Sequence, residues 1–353
     1  MTRIFLLGKN VEFTSSCGCL SSMHRVEFAT MKVIYAIPVL VACFAVLPVC
    51  AATLPGIPEF IDEMVARHQF KREELESAFD RAQYLPSVIE TISRPSTSKP
   101  WLEYRAAFVN PERIRFGLKF WQKYRQTLQR AEREFGVPQE IIVGLIGVET
   151  IYGQDAGTFR TLDALTTLAF DYPRRVDFFR SELENYLLLA RDQQFDMLEI
   201  RGSYAGALGI PQFMPSSYRN YAVDFNGNHK IDLLREPEDA IGSVANYLKS
   251  YGWTNSVPVA VRALIVEKNW IGEITAPRTL EEWSTVGIAP REKIPRDQLA
   301  RLVDFTVENG KELWLVFNDF EVITRYNNSD FYAMTVFQLA EELKAASKIS
   351  LAR

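Results

Sequence analysis

The chain has 353 residues, 47% of them hydrophobic and 12% aromatic, enough for one large domain or two ordinary ones around a real core. Its formal net charge is −4, with both signs mixed along the chain, and no Lys/Arg run of the kind that tracks nucleic-acid phosphates is present. Three histidines, His24, His68 and His229, leave almost no material for a His-based triad or a zinc site.

Cys17, Cys19, Cys43 and Cys50 all lie in the first fifty residues. Met31-Lys32 opens a short positive start, an apolar run and a small-residue exit, the three parts of a secretory signal over 31–51. Once this is removed the chain is cysteine-free, which suits an oxidising compartment without a disulfide framework. Val49-Cys50-Ala51 fits a signal-peptidase site. Leu40-Val41-Ala42-Cys43 fits a lipobox, with Cys43 lipidated as the mature N-terminus and anchored in an outer membrane. Against this second reading, Phe44-Ala45-Val46-Leu47 continues the apolar run. A third reading is a retained anchor, since the run is about the shortest that spans a bilayer. Residues 1–30 read as an extension that need not fold. The expected location is the periplasm.

Helical periodicity marks residues 57–92, as at Phe60, Met64, Leu75 and Phe79. SRPSTSKP over 93–100 is a loop by composition. Phe116, Phe120, Tyr124 and Leu128 recur every fourth residue, which predicts one apolar helix face between about 111 and 135. Gly136-Val137-Pro138 ends that helix and starts the next, with Pro138 in the first turn. Two or three helices follow over 162–195. Residues 202–236 are rich in Gly, Ser, Pro and Asn and read as loop with short helix. A helix runs from Pro237 to Tyr251. Leu313–Phe317 and Glu321–Thr324 read as a hairpin of two strands, and a last helix covers about 330–346. The class is mainly α with a small β part.

Glu140–Thr150 is the most apolar helix candidate in the mature chain. Ile142, Ile146 and Glu149 share one face at spacings of four and three, so Glu149 ends an apolar stripe. Burial there raises a carboxyl pKa, and a carboxyl still protonated near neutral pH can protonate a glycosidic oxygen. The alternatives are an exposed Glu149 at the helix end, or one paired with Arg174 or Arg175. Gly144 and Gly147 permit close approach of another chain or a ligand.

Val148-Glu149-Thr150 with Tyr152-Gly153 resembles the catalytic-Glu motif of the lytic transglycosylases. Gly202–Gly209 with Pro211–Tyr218, then Asp171–Arg175, Asp239–Leu248, and Tyr326–Ser329 with Tyr332 match further blocks of the transglycosylase B branch. The resemblance covers roughly residues 57–345. Ile210-Pro211 departs from it, where some relatives carry small residues. It implies a goose-type lysozyme-like core with inserted subdomains, over 52–353, acting on peptidoglycan glycan strands as a monomer. The family cleaves the β-1,4 bond between N-acetylmuramic acid and N-acetylglucosamine without net addition of water. The muramyl C6 hydroxyl attacks its own anomeric carbon and leaves a 1,6-anhydro ring. Carried over, Glu149 is the single acid/base. Ser203, Gln212, Tyr247, Tyr326, Asn327 and Tyr332 fall at glycan-binding positions, and Arg174 and Arg175 are candidates for the acidic lactyl or peptide groups. The chemistry requires no cofactor. A muramidase would need a second carboxylate; Asp155 and Asp163 are nearest in sequence, with a turn residue and a helix N-cap as their plainer readings. A third class of function is a non-catalytic peptidoglycan-binding protein.

Asp224, Asn226, Asn228 and Asp232 fall at positions 1, 3, 5 and 9 of an EF-hand rhythm, with Lys230 placed to offer its carbonyl. The rhythm breaks at His229, where Gly is usual, and at Arg235, where Glu is usual. The family's comparable calcium loop takes a later aspartate, here Asp239. A weak structural calcium site is expected, the alternative being a metal-free Asn/Gly turn.

Overall fold

Buried apolar stripes build most of the elements in a computed structural model that describes residues 54–94, 99–266 and 276–351. The expected signal, the Cys43 lipobox and the preceding extension lie outside the described residues, as does part of the 93–100 loop. The periodic stretch 57–92 forms three helices, α1 (Ile57–His68), α2 (Arg72–Arg81) and α3 (Pro86–Ser93). Helix α1 buries Ile57, Phe60, Ile61 and Met64, a spacing of three and four that lines one face. Helix α4 (Trp101–Phe108) buries Trp101, Tyr104 and Phe108.

The helix expected over 111–135 is two, α5 (Pro111–Lys123) and α6 (Arg125–Phe135), separated by Tyr124. The buried face of α5 also differs from the expected one. It runs through Arg113, Gly117 and Phe120, while Phe116 stays half-exposed. Gly136 ends α6 in the left-handed region at φ 76°, the conformation that costs glycine least. Pro138 then precedes α7 (Gln139–Thr150), one place earlier than expected. Every residue from Ile141 to Thr150 is buried, so α7 is the central helix. Strand β1 (Phe159–Arg160), α8 (Thr161–Asp171), a single 3-10 turn (Pro173–Arg175) and α9 (Val176–Asp192) follow, in keeping with the helices expected over 162–195. Strand β2 (Arg201–Gly202) pairs antiparallel with β1. The Gly-rich stretch beyond it holds two isolated bridges, Gly202 to Leu208 and Leu208 to Phe213, and the short helix α10 (Pro215–Tyr221). Glu182 of α9 is buried and accepts from Ser216 N at 2.9 Å and Ser216 Oγ at 2.6 Å, which fixes α10. Helix α11 (Pro237–Ser250) agrees with expectation.

The β part is a five-stranded antiparallel sheet in the order β4-β6-β7-β3-β5. Its strands are β3 (Ala260–Ile265), β4 (Arg278–Thr279), β5 (Ile288–Pro290), β6 (Leu299–Val307) and β7 (Gly310–Val316), with α12 (Leu280–Thr285) between β4 and β5. Only the first half of the expected hairpin is a strand. The partner of β7 is β6, joined through Glu308-Asn309 with Val307 opposite Gly310, and Glu321–Thr324 lies in α13 (Asn318–Tyr326). Short β-branched runs are ambiguous by period, and tertiary burial decides this one. Phe320 and Ile323 go into the core on one helical face. Asp319, also buried, accepts from Thr254 N at 2.9 Å and Asn255 N at 2.8 Å.

Helix α14 (Asp330–Leu351) closes the fold against α7. Arg301 of β6 bonds Glu321 at 2.8 Å and Asp330 at 2.7 Å, so the sheet holds the start of α14. No helix among the described residues is long and apolar enough to cross a membrane. The close passage of α14 is set by Gly144, where an added Cβ would come within 3.0 Å of Val336 O and 3.2 Å of the Ala340 Cβ. Gly144→Val is therefore expected to cost about 1–3 kcal/mol by overpacking, measured by urea unfolding; a change below about 0.5 kcal/mol would show that the two helices can part freely.

Candidate active site

Glu149 is the next-to-last residue of α7 and is only 9% exposed. Its Oε1 accepts a hydrogen bond from the Tyr332 hydroxyl. Tyr332 is the third residue of α14, and its backbone N–H donates to Ser329 Oγ at 3.3 Å. The contact between two helices distant in sequence thus brings acid and phenol together. The Tyr326 ring lies nearly parallel to that of Tyr332, 6.3 Å away at 11°, and the Tyr326 hydroxyl donates to Pro211 O. Tyr247 stands edge-on to Tyr326 at 4.8 Å and donates to Arg325 O at 2.9 Å.

The loop before α10 is tied to the end of α7. Thr150 Oγ1 donates to Ile210 O at 2.8 Å and accepts from Gly153 N at 2.9 Å. Gln212, buried and held at φ 53°, donates to Gly209 O at 2.7 Å and Ala156 O at 3.0 Å. Glu149, Tyr332, Tyr326, Tyr247 and Gln212 therefore converge. Asn327 follows Tyr326 directly, and its carbonyl accepts from Ser329 N at 2.6 Å. Ser203 is buried one step further along the bridged loop, where its Oγ accepts from Ala207 N at 3.0 Å and Ala205 N at 3.3 Å.

The two arginines singled out in the sequence do not partner Glu149. Arg174 is exposed, and Arg175 lies over the Phe178 ring at 3.8 Å. The cation whose field reaches Glu149 belongs to Arg113, which the sequence reading passed over. Arg113 is 5% exposed and donates to Gly147 O, with Val148 O at 3.3 Å. A clue was available in the Arg113–Gly117–Phe120 spacing, but an arginine in an apolar stripe reads as surface. Tyr152, quoted in the motif without a role, fills with its ring the space that the missing side chain of Gly147 leaves. The close approaches expected at Gly144 and Gly147 are thus made by the chain itself.

Burial pushes the Glu149 carboxyl up to about 8, against the opposing influence of the Tyr332 bond and the Arg113 charge. The Tyr332 and Tyr326 hydroxyls are held well above the usual phenol range by burial and by Glu149, so they remain donors. The two aspartates nearest in sequence are held apart from Glu149 by other partners or by exposure. Asp163 is buried, ion-paired to Arg160 at 2.8 Å, and accepts from Gln83 N at 2.9 Å. It stands in the first turn of α8, whose N-cap is Arg160, so the N-cap reading is corrected. Asp155 is exposed, with its N–H on Thr150 O at 2.9 Å.

In the Asn-rich loop, Asp224 accepts from Gly227 N at 2.8 Å and His229 N at 2.8 Å, and Asn226 and Asn228 accept from Asn228 N at 3.0 Å and Lys230 N at 2.9 Å. Asp239 is fully buried and accepts from Phe225 N at 2.8 Å and Asp232 N at 2.9 Å. Glu236, absent from the expected ligand set, meets the amide nitrogens of Asn226 at 2.6 Å and Asn228 at 3.0 Å. The donors are hard oxygens of the kind calcium takes. No group of three or more acidic, His or Cys side chains is set to hold a metal among the described residues.

Comparison with known proteins gives the family. The family model described as the transglycosylase SLT domain matches residues 54–341. A curated Escherichia coli protein, membrane-bound lytic murein transglycosylase B, is 43% identical over 305 residues, 84% of each chain. The solved catenated lytic transglycosylase SltB1 of Pseudomonas aeruginosa is 46% identical with a TM-score of 0.78, covering 83% of this chain and 98% of that one. The Escherichia coli lytic transglycosylase Slt35, solved in complex with calcium, is 43% identical with a TM-score of 0.78, covering 84% of this chain and 94% of that one.

Because burial favours the neutral acid, the stability that protonated Glu149 contributes is complete below its unfolded pKa and lost as pH rises through about 8. Glu149→Gln carries no charge at any pH. Its melting temperature is expected to match the wild type near pH ~5 and exceed it near pH ~9; parallel melting curves at both would show that Glu149 is not buried in solution. With the family model and these relatives covering almost all of the described residues, the chain belongs to the transglycosylase SLT domain family and is a lytic murein transglycosylase that acts on peptidoglycan.

Proposed function

We propose that the chain cleaves the β-1,4 bond between N-acetylmuramic acid and N-acetylglucosamine and leaves 1,6-anhydromuramyl ends, with Glu149 as its only acid/base. The observation that carries this reading is a single buried carboxyl pushed up to about 8 beside two phenols. Tyr332 occupies Oε1, so Oε2 is the oxygen that carries the exchangeable proton. At neutral pH the acid form delivers that proton to the leaving glycosidic oxygen. The resulting carboxylate, supported by Tyr332, then takes the proton of the C6 hydroxyl as that oxygen closes on the anomeric carbon. The proton count balances, and Glu149 ends protonated for the next cycle. The substrate's own N-acetyl group takes the place of a second carboxylate.

Tyr326 stacks on the Tyr332 that bonds this acid, Tyr247 packs on Tyr326, Asn327 follows it in the chain and Gln212 follows the Pro211 that Tyr326 bonds; we assign to them the amide, hydroxyl and ring surfaces suited to sugar hydroxyls and acetamido groups. Ser203 shapes the adjoining loop, and Arg174 and Arg175 are assigned to anionic groups of the wall. Action in the periplasm, after export through the 31–51 segment or anchored through Cys43, fits this substrate. A monomer suffices, since the residues assigned to the site come from one chain.

Mass spectrometry of muropeptides released from purified peptidoglycan tests the reaction. Products with anhydro ends, absent with Glu149→Gln, are expected. Reducing ends would make the enzyme a hydrolase, and no products from the wild type would leave only a binding role.

We also propose a structural calcium held by Asp224, Asn226, Asn228, the Lys230 carbonyl and Asp239, whose carboxylate also accepts from Phe225 N and Asp232 N. When bound, the ion would neutralise the loop's carboxylates and lock it against α11. Two amides in place of acids make the site weak. Calcium at roughly millimolar concentration should raise the melting temperature, and Asp224→Ala should abolish the rise; equal rises in both proteins would place the ion elsewhere.

A further inference from the structure

We infer that Arg113 is a positioning residue for Glu149: it fixes the end of α7 through the Gly147 and Val148 carbonyls and supplies the cation that faces the acid. The inference rests on Glu149 as the acid/base and extends that reading to a residue that touches no substrate.

The last carbonyls of an α-helix have no partner within the helix. At the end of α7, Ile151 N reaches Gly147 O at 3.3 Å, Tyr152 N reaches Ile146 O at 3.4 Å and Asp155 N reaches Thr150 O at 2.9 Å. Arg113 Nη1 serves Gly147 O and Val148 O, the two carbonyls just before Glu149. Both bonds leave from Nη1, whose two N–H directions are fixed in the plane of the guanidinium fork, so the peptide units that aim the Glu149 side chain are fixed from outside the helix.

The same end of α7 carries the negative pole of the helix dipole. That pole and burial both disfavour a carboxylate at position 149, yet the carboxylate must form once the proton is delivered. Arg113 is the compensating charge. Its own backbone is held by Asn110, whose side chain accepts from Arg113 N at 2.9 Å, and its guanidinium lies 5.2 Å from the Phe108 ring centroid. Other groups share this environment. Tyr332 and Tyr326 face Glu149, Tyr104 faces Tyr332, and Tyr152, Asp155 and Glu112 face Arg113. Among these, Arg113 is the group that draws Glu149 toward its charged form by charge, and Tyr332 does so by hydrogen bonding.

The test is the rate of anhydromuropeptide release from purified peptidoglycan across pH, with melting temperature recorded at each pH. In the wild type the rate should fall on the alkaline side near pH 8, where Glu149 loses its proton. Arg113→Gln keeps an N–H donor for the carbonyls and removes the charge. Its alkaline limb should move to higher pH, with a rate about tenfold lower at neutral pH. Arg113→Lys keeps the charge and loses the fork. Its limb should stay in place while the rate falls several-fold. A role in folding alone would lower the melting temperature and scale the rate equally at every pH. A limb that stays put in a folded Arg113→Gln protein therefore overturns the inference. Should that variant not fold, Arg113→Lys decides, because a displaced limb there overturns it as well. Glu149→Gln serves as the control: anhydro products from it would reject Glu149 as the acid, a failure distinct from that of Arg113.

Discussion

The arrangement depends on keeping one carboxyl out of water at the end of a buried helix. Glu149 is the point where the apolar interior of α7 meets chemistry. A carboxyl in bulk water is ionised at neutral pH and has no proton to give. Burial reverses that preference, and the hydrogen bond from Tyr332 together with the Arg113 charge keeps the ionised form within reach. The proposed reaction uses both forms in turn, so for it burial alone would be as unhelpful as exposure.

Much of the fold serves this balance. Gly144 lets α14 come close to α7, and Tyr152 fills the space beside Gly147. The sheet, through Arg301 and its bonds to Glu321 and Asp330, holds the junction of α13 and α14, with Tyr326 at the end of one, Tyr332 at the start of the other and Asn327 between them. The Gly-rich loop is fastened by Thr150, Tyr326 and Gln212 to its neighbours. Residues from three distant stretches of chain are thereby held by contacts between side chains and backbone, which tolerate little slack. This explains why the same residues read as both core and site: the buried tyrosines are packing and hydrogen-bond donors at once.

The correspondence between sequence and structure is uneven, and the unevenness has causes. Helices with apolar residues at spacings of three and four are legible, as in α1, α7 and α11, because that period is a local property. The Glu321–Thr324 run misleads, since a four-residue run with three β-branched members fits a strand as well as a helix, and the contact of Asp319 with residues 254 and 255 settles the matter. The strand β6 is missing from the sequence expectation even though Val303, Phe305 and Val307 alternate with Asp304 and Thr306 and the Asn309-Gly310 pair stands at its turn.

Glu149 at the end of an apolar stripe was determined by the sequence alone, as were the candidate glycan-contacting residues once the family resemblance was added. Which cation answers Glu149 was not. Arg174 and Arg175 are near in motif but point elsewhere, over Phe178 or into solvent, while Arg113 comes from a helix 36 positions before the acid in a stripe whose period suggested a different face. Likewise, Glu236 faces the Asn-rich loop from beyond the position where an EF-hand closes. Periodicity records which residues are buried together along one element. The pairing of charges across elements depends on how helices pass one another, and that is decided only when the chain is packed.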